Sequence, residues 1–415
     1  MDGGQLQQTP NYNDITKEKE RALKQVWTYL LHSWNVEVDG TKAFKEEEKE
    51  KRVDDNKKKS SSIFGRWSSS STQLQKDDSD NSTAGKYCKG MVHPSMAELD
   101  STHSENEFWN MLRVDHPDSM IYRFSRARKY DSSKATRMLA HTLKFREKHQ
   151  LNALLNGGEY SAFKDGGKEP GLIKNLELQK AIIFGYDVQN RPYIIVRPRY
   201  HYSSDQTEAE LEKFALLVIE LSRLFMKLDS ISILFDLTGF SLSNMDYAPV
   251  KFLITCFEAH YPECLGHLYI HKAPWLFNPV WNIIKNWLDP VVASKIVFTK
   301  NINELSKYIN TEQLPRYLDG EKEFDFENYI APDGSFDSKL NDLTTRDNVI
   351  TKRKQIIEEY KLLTVQWIES ENDESSKRFW QERITLGEKL YQNYSELDPY
   401  IRSRSTYDIN GSLKV

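Results

Sequence analysis

The chain has 415 residues, which at about 100–200 residues per domain allows two or three domains with one sizeable core and excludes a repeat peptide or a disordered tail. Its 57 Lys+Arg against 61 Asp+Glu give a net charge of −4, so no nucleic-acid partner is expected and any phosphate contact must be local. Three cysteines, Cys88, Cys256 and Cys264, are too few for a disulfide framework and fit a reducing compartment.

The N-terminal stretch MDGGQLQQTPNYNDITKEKE lacks an apolar signal core, and FALLVIELSRLFM from Phe214 is too short and too charged to span a bilayer. A cytoplasmic protein is expected. From Glu18, Leu23, Val26, Trp27, Leu30, Leu31 and Trp34 recur at spacings of three and four, which predicts a helix with one apolar face in need of a partner. The run from Lys45 to about Gly85 is charged and Ser-rich and cannot bury enough apolar area to offset its ordering entropy. The expected division is an N-terminal helix in 1–40, a disordered insertion in 41–101, a helical subdomain in 102–155, an α/β domain in 156–330 and a helical extension in 331–415.

Within 102–155, Ala135, Met138, Leu139, Thr142 and Phe145 give Lys134–Gln150 helical periodicity. The centre carries β-rich runs at Ala181–Tyr186, Tyr193–Arg197, Ile231–Leu237, Leu268–His271 and Ile296–Thr299, with helical candidates at Glu208–Met226, Ala248–His260 and Asn278–Leu288. Asp187–Asn190 suits a hairpin between the first two runs; the later alternation suits right-handed crossovers in a parallel or mixed sheet. After Pro332, Ile356, Tyr360, Leu363 and Trp367 mark one helical face and Phe379, Trp380, Ile384 and Leu390 another, before an irregular tail, SELDPYIRSRSTYDINGSLKV.

Tyr261–Ile296 is the most informative stretch. Asn278 can cap a helix with Val280, Trp281, Ile284, Trp287 and Leu288 on one side, either an ordinary core-facing helix or a lid over an apolar cavity. The aromatic content of 12% suits such a cavity. Glu263 follows a helix end leading into one strand and Lys295 precedes the next, so both can converge at one rim of the sheet, where a plain salt bridge would also explain them. Arg126, Arg128 and Lys129 in SRARKY can hold a phosphate by forked and point-charge contacts, or form a solvated face. Gly239-Phe240-Ser241-Leu242-Ser243 lacks the second glycine of a nucleophile elbow, and Gly157-Gly158 and Gly166-Gly167 do not follow a strand in the dinucleotide-binding manner. No enzyme is expected. Cys256, His260, Cys264 and His267 match no zinc pattern, so no metal is expected either.

With SRARKYDSSKATRML, FDLTGFSLSNMDY, HKAPWLFNPVWNIIKNWLDPVVASKI and LDPYIRSRS, the chain resembles the CRAL-TRIO lipid-binding family, in its fungal phosphatidylinositol transfer branch. The resemblance implies an α/β fold with a mixed, largely parallel sheet, an apolar pocket for one lipid, a small helical subdomain before it and helices after it. It implies phosphatidylinositol binding and transfer between membranes, in the service of lipid metabolism or signalling, with the headgroup held by Glu263, Lys295, Arg128 and Lys129. The gate helix would carry Phe277, Val280, Trp281, Ile284, Trp287 and Leu288. No cofactor is implied beyond the bound lipid; the partners would be a transient membrane surface and lipid-metabolising enzymes, and the chain would be a monomer that associates peripherally with internal membranes. Ile231 and Ile233 depart from the pattern, standing where relatives present hydroxyl groups to the inositol. The strand Tyr193-Ile194-Ile195-Val196 differs from the tyrosine-bearing strands of choline-binding relatives. A sterol-type ligand, or a lipid sensor that moves nothing, are the alternatives.

Overall fold

The computed structural model describes residues 15–45, 89–226 and 230–415. The first helix, α1 (Lys17–Ser33), starts where Thr16 accepts from the Lys19 amide, with Glu18 and Glu20 in its first turn. Then come α2 (Ser101–Leu112), α3 (Pro117–Ala127) and α4 (Ser132–Lys148). The partner that the apolar face of α1 requires comes from both ends of the chain. Trp27 packs among Phe108 of α2, Tyr360 of α9 (Leu343–Glu369) and, within the same core, Trp380 of α10 (Asp373–Ile401).

Between these helical parts lies a five-stranded sheet in sequential order, β1 (Ala181–Tyr186), β2 (Pro192–Val196), β3 (Ile231–Asp236), β4 (Leu265–His271) and β5 (Ile296–Thr299). The β1–β2 pair is an antiparallel hairpin, and the other pairs are parallel. Because parallel crossovers are right-handed and the order runs one way, the connecting helices all fall on one face. These are α5 (Glu208–Leu224), α6 (Tyr247–Thr255), α7 (Asn278–Ile284) and α8 (Pro290–Ser294). A capping box between Thr207 and Glu210 starts α5. The chain after β5 covers the other face, where Tyr193, Ile195, Leu234 and Tyr269 pack with Leu305, Ile309, Leu314 and Leu318.

A buried ionic network joins the helical bundle to the α/β part. Arg146 of α4 donates to Glu107 and Glu220 at 2.7 and 2.9 Å, and Arg223 donates to Asp115 at 2.6 Å and to Glu220. Burial alone would raise the Glu220 pKa, but Arg146, Arg223 and Arg113 bring it down to about 2. Every member is paired, which is the condition for tolerating charge at such depth.

Three expectations need correction. The insertion expected over 41–101 is ordered at its borders: Thr41–Phe44 and Pro94–Ala97 form helical turns that bury Ala43 and Met96, flanking the charged run rather than belonging to it. Its middle, 46–88 with Cys88, lies outside the described residues. The tail is regular through Ile401, because Pro399 falls in the last turn of α10, where the Arg402 amide and the Arg404 guanidinium take the Asp398 carbonyl. The helix expected over Asn278–Leu288 stops at Ile284; a turn follows, and Asp289 caps α8 by accepting from the Val291 amide at 2.6 Å.

Candidate functional site

Alternate residues of a strand face opposite ways, and the register aligns them into rows. Ile194, Ile233, Leu268 and Ile296 form one row and Val196, Phe235 and Ile270 the next. All seven line a cavity of about 460 Å³ beneath the crossover helices. Phe214 and Val218 of α5, Leu253 of α6 and Phe257 form its roof. Tyr193, by contrast, points to the covered face and donates from its hydroxyl to the Gln313 carbonyl at 2.6 Å. The rim beyond the C-terminal ends of β2 and β3 is polar, with Lys180, His201, Gln206 and Asp246.

The gate residues divide. Phe277, Trp281, Ile284 and Leu288 line the cavity; Val280 does not, and is buried against the wall residues Leu237, Phe240 and Ile270 in one apolar cluster. Trp281 sets its ring edge-on to Phe298 at 5.1 Å. Trp287 lies past the helix end and packs on Tyr247 at 5.4 Å, with the Lys251 ammonium 4.8 Å from its ring centroid. Sequence periodicity missed Trp275, which is 83% exposed just before α7, with Ile283, Val291 and Phe298 also exposed around the gate. Its signal was the Pro274-Trp275 break, which takes the tryptophan out of any helical stripe.

At the N-terminal ends of β4 and β5 the sheet carries charge. After Thr255 the helix α6 widens into a π turn over Cys256–His260, and Tyr261 and Pro262 then lead to Glu263 in left-handed backbone, φ 60°. The Tyr261 hydroxyl donates to Glu220 at 2.8 Å, tying this turn to the buried network. Arg126 donates to the Glu263 carboxylate at 2.9 Å. Lys295 caps the end of α8 and donates from Nζ to the Leu265 carbonyl at 2.7 Å. Burial lowers its pKa, and Glu263 partly offsets that. Leu265 and Ile296, which line the cavity, are Lys295's neighbours in space and in sequence, so this charged group adjoins one end of the apolar space.

The structure therefore brings Glu263 and Lys295 together, with Arg126 as the paired cation. Arg128 turns back to its own chain, donating to the Ala127 carbonyl at 3.1 Å, and Lys129 is exposed on a turn with φ 51°. Two further groups sit close by, Arg191, which carries no sequence signal, and His267 of the Cys/His run: Arg191 donates to His267 Nδ1 at 2.5 Å, the Arg191 charge acts on Lys295, and the Lys295 charge acts on His267. In the Cys256, His260, Cys264 and His267 run, His260 stacks on Phe145 at 3.8 Å, and no metal-binding group of three or more His, Cys, Asp and Glu occurs among the described residues.

The CRAL/TRIO domain model matches residues 176–320, and the CRAL/TRIO N-terminal domain model matches residues 22–141. The phosphatidylinositol transfer protein CSR1 of Eremothecium gossypii is 46% identical, over 97% of this chain and 97% of its own. The CRAL-TRIO domain-containing protein C3H8.02 of Schizosaccharomyces pombe is 34% identical, over 96% of this chain and 91% of its own. The crystal structure of Sfh5 overlays 46% of this chain and 69% of that one at 19% identity, with a TM-score of 0.38.

Proposed function

The chain belongs to the CRAL-TRIO family, and from that premise we propose that it carries one phosphatidylinositol between membranes without covalent chemistry. The observation that carries this reading is the cavity of about 460 Å³ with an apolar floor and a charged group at one end. Protein interiors leave few voids larger than a water, so an apolar space of this size suits the chains of an amphiphile. Its relative in Eremothecium gossypii bears the name of a phosphatidylinositol transfer protein.

The headgroup belongs, on this reading, at the Glu263–Lys295 end. Lys295 offers the phosphodiester a point charge, Arg126 and Arg128 offer forked donors, and Lys129 adds charge from its exposed turn. Glu263 accepts from inositol hydroxyls once Arg126 turns from it to the phosphate. No tyrosine lines the cavity among the described residues, which leaves a choline headgroup without an aromatic cage. Exchange needs contact with a bilayer, and the exposed Trp275, Ile283, Val291 and Phe298 around the gate supply an apolar surface for it. No helix among the described residues is long and apolar enough to cross a membrane, in keeping with peripheral attachment.

The test is transfer of phosphatidylinositol and phosphatidylcholine between labelled vesicles. Lys295→Ala and Glu263→Ala are expected to lower phosphatidylinositol transfer about 10- to 100-fold, the loss of one charge-assisted contact worth about 1.5–3 kcal/mol. Unchanged transfer by both folded variants would remove the headgroup site. Binding without transfer by the native chain would make it a lipid sensor, and retention of a sterol-type lipid in place of phosphatidylinositol would change the ligand.

A further inference from the structure

A second cavity, of about 260 Å³, lies behind the hairpin edge of the sheet. Leu217 and Leu221 of α5, Leu176 and the β1 residues Ile182 and Ile183 make its apolar wall, and all five are at most 6% exposed. The C-terminal segment after α10 forms its outer wall, pinned through Thr406 and Tyr407. The Thr406 amide donates to Glu159 at 2.7 Å, a carboxylate that also accepts from the Tyr329 hydroxyl at 3.2 Å, and the Tyr407 hydroxyl accepts from the Ile183 amide at 3.0 Å. The last contact occupies an outward amide of β1, which would otherwise be an unpaired donor on an edge strand. At the mouth, Ile330 is 80% and Ile409 39% exposed.

Ala181, Phe214 and Val218 line this space and the main cavity alike, so the two are separated by the thickness of single side chains. β1 is the edge opposite β5, four strand spacings of about 4.8 Å away, or about 19 Å across the sheet from the strand that Lys295 precedes. A ligand whose polar end sits by Lys295 and whose chain crosses the sheet therefore points its methyl end toward this second space. We propose that the cavity between β1, α5 and the C-terminal segment is a chain-end compartment, which takes the distal part of one acyl chain and so sets the chain length the protein prefers. Phe214 and Val218 form the partition the chain passes, and Glu159 with Thr406 and Tyr407 holds the outer wall. The compartment rests on the reading of the main cavity as a lipid site; it adds where one chain ends.

The test uses the full chain and a phosphatidylinositol whose sn-2 chain carries a diazirine at its methyl end, offered in phosphatidylcholine vesicles and irradiated after loading. Cross-links are expected on peptides containing Leu217 and Leu221 or on the C-terminal segment around Tyr407. In Leu217→Trp and Leu221→Trp those cross-links should fall, and the ratio of short-chain to long-chain phosphatidylinositol bound should rise about tenfold, as for lost room for two methylenes. Cross-links confined to main-cavity residues such as Leu253 and Ile270 overturn the compartment while leaving the lipid reading intact. No cross-link anywhere, with no lipid retained, overturns both. The native chain gives the cross-linking result by itself, so a variant that fails to fold does not decide the matter.

Discussion

On one face of the sheet, Leu234 and Tyr269 are wholly buried against Leu305, Ile309, Leu314 and Leu318; on the other, their strand neighbours Ile233 and Leu268 look into an open cavity. Both faces carry branched aliphatic and aromatic side chains, so residue size does not decide which becomes solid. The covering chain does. After β5 it crosses the sheet in short turns that settle onto the strands, whereas α5, α6 and the α7–α8 pair are whole crossovers, each running from one strand to the next. The π turn at Cys256–His260 and the break after Ile284 lie in two of those crossovers. A face left empty this way loses the packing contacts that a solid core gains, and its occupant restores them.

Substitutions paired across the two faces would break or sharpen this contrast. The largest effect is expected at the gate, where Trp281→Asp puts a carboxylate against the apolar cavity at a cost of several kcal/mol and should abolish vesicle-to-vesicle transfer, while Lys285→Ala on the exposed side leaves it unchanged. Circular dichroism on the same samples separates lost exchange from unfolding, and an unfolded Trp281→Asp would mean that the tryptophan is plain core. Next, the same substitution is compared on both faces: Leu234→Ala should cost about 2–5 kcal/mol in urea denaturation of lipid-free protein, and Leu268→Ala about 1, since its cavity already exists. Equal costs would mean that the cavity closes when empty. Enlargement should reverse the comparison, with Leu234→Phe losing about 1–3 kcal/mol by overpacking and Leu268→Phe near-neutral in stability but poorer in retained lipid.

The smallest effect concerns charge at the cavity rim. Arg191, at the opposite end of the strands from this rim, has the Asp187 carboxylate at 2.7 Å. Lys180 has the Gln206 amide oxygen at 3.0 Å and Asp205 only at 3.9 Å, and burial brings its pKa down to about 8. Folded Lys180 then releases its proton near pH 8 while the unfolded side chain keeps it to about 10.4. The unfolded chain binds more protons across that window, so stability rises with pH there. The rise should be no more than about 1 kcal/mol after solvent screening, and absent from Lys180→Met. A slope that survives the substitution belongs to another group.

Much of this arrangement is legible in the sequence because it follows from period and order. The five β-rich runs, the hairpin at Asp187–Asn190 and the crossovers between later strands give the sheet, and right-handedness puts the helices on one side. Tyr261-Pro262-Glu263 and Ser294-Lys295 mark the strand entries where charge gathers. What periodicity does not carry is local and three-dimensional. Nothing in SRARK tells which arginine reaches Glu263, because that depends on the turn through Lys129 and Tyr130, both in left-handed backbone. The gate reads as a single stripe, yet the break after Ile284 sends Trp287 to Tyr247 and leaves Trp275 as the exposed tryptophan. The second cavity depends on a C-terminal segment more than 200 residues from the strand it covers, as the Ile183–Tyr407 contact, 224 positions apart, illustrates.

The most direct measurement is lipid stoichiometry by mass spectrometry of the purified native chain beside Ile270→Trp, a substitution that fills the cavity floor. One phosphatidylinositol per native chain, with little or none in a folded Ile270→Trp, is the predicted result. A native chain that retains no lipid, or a folded Ile270→Trp that retains as much as the native, would contradict the cavity as the lipid site.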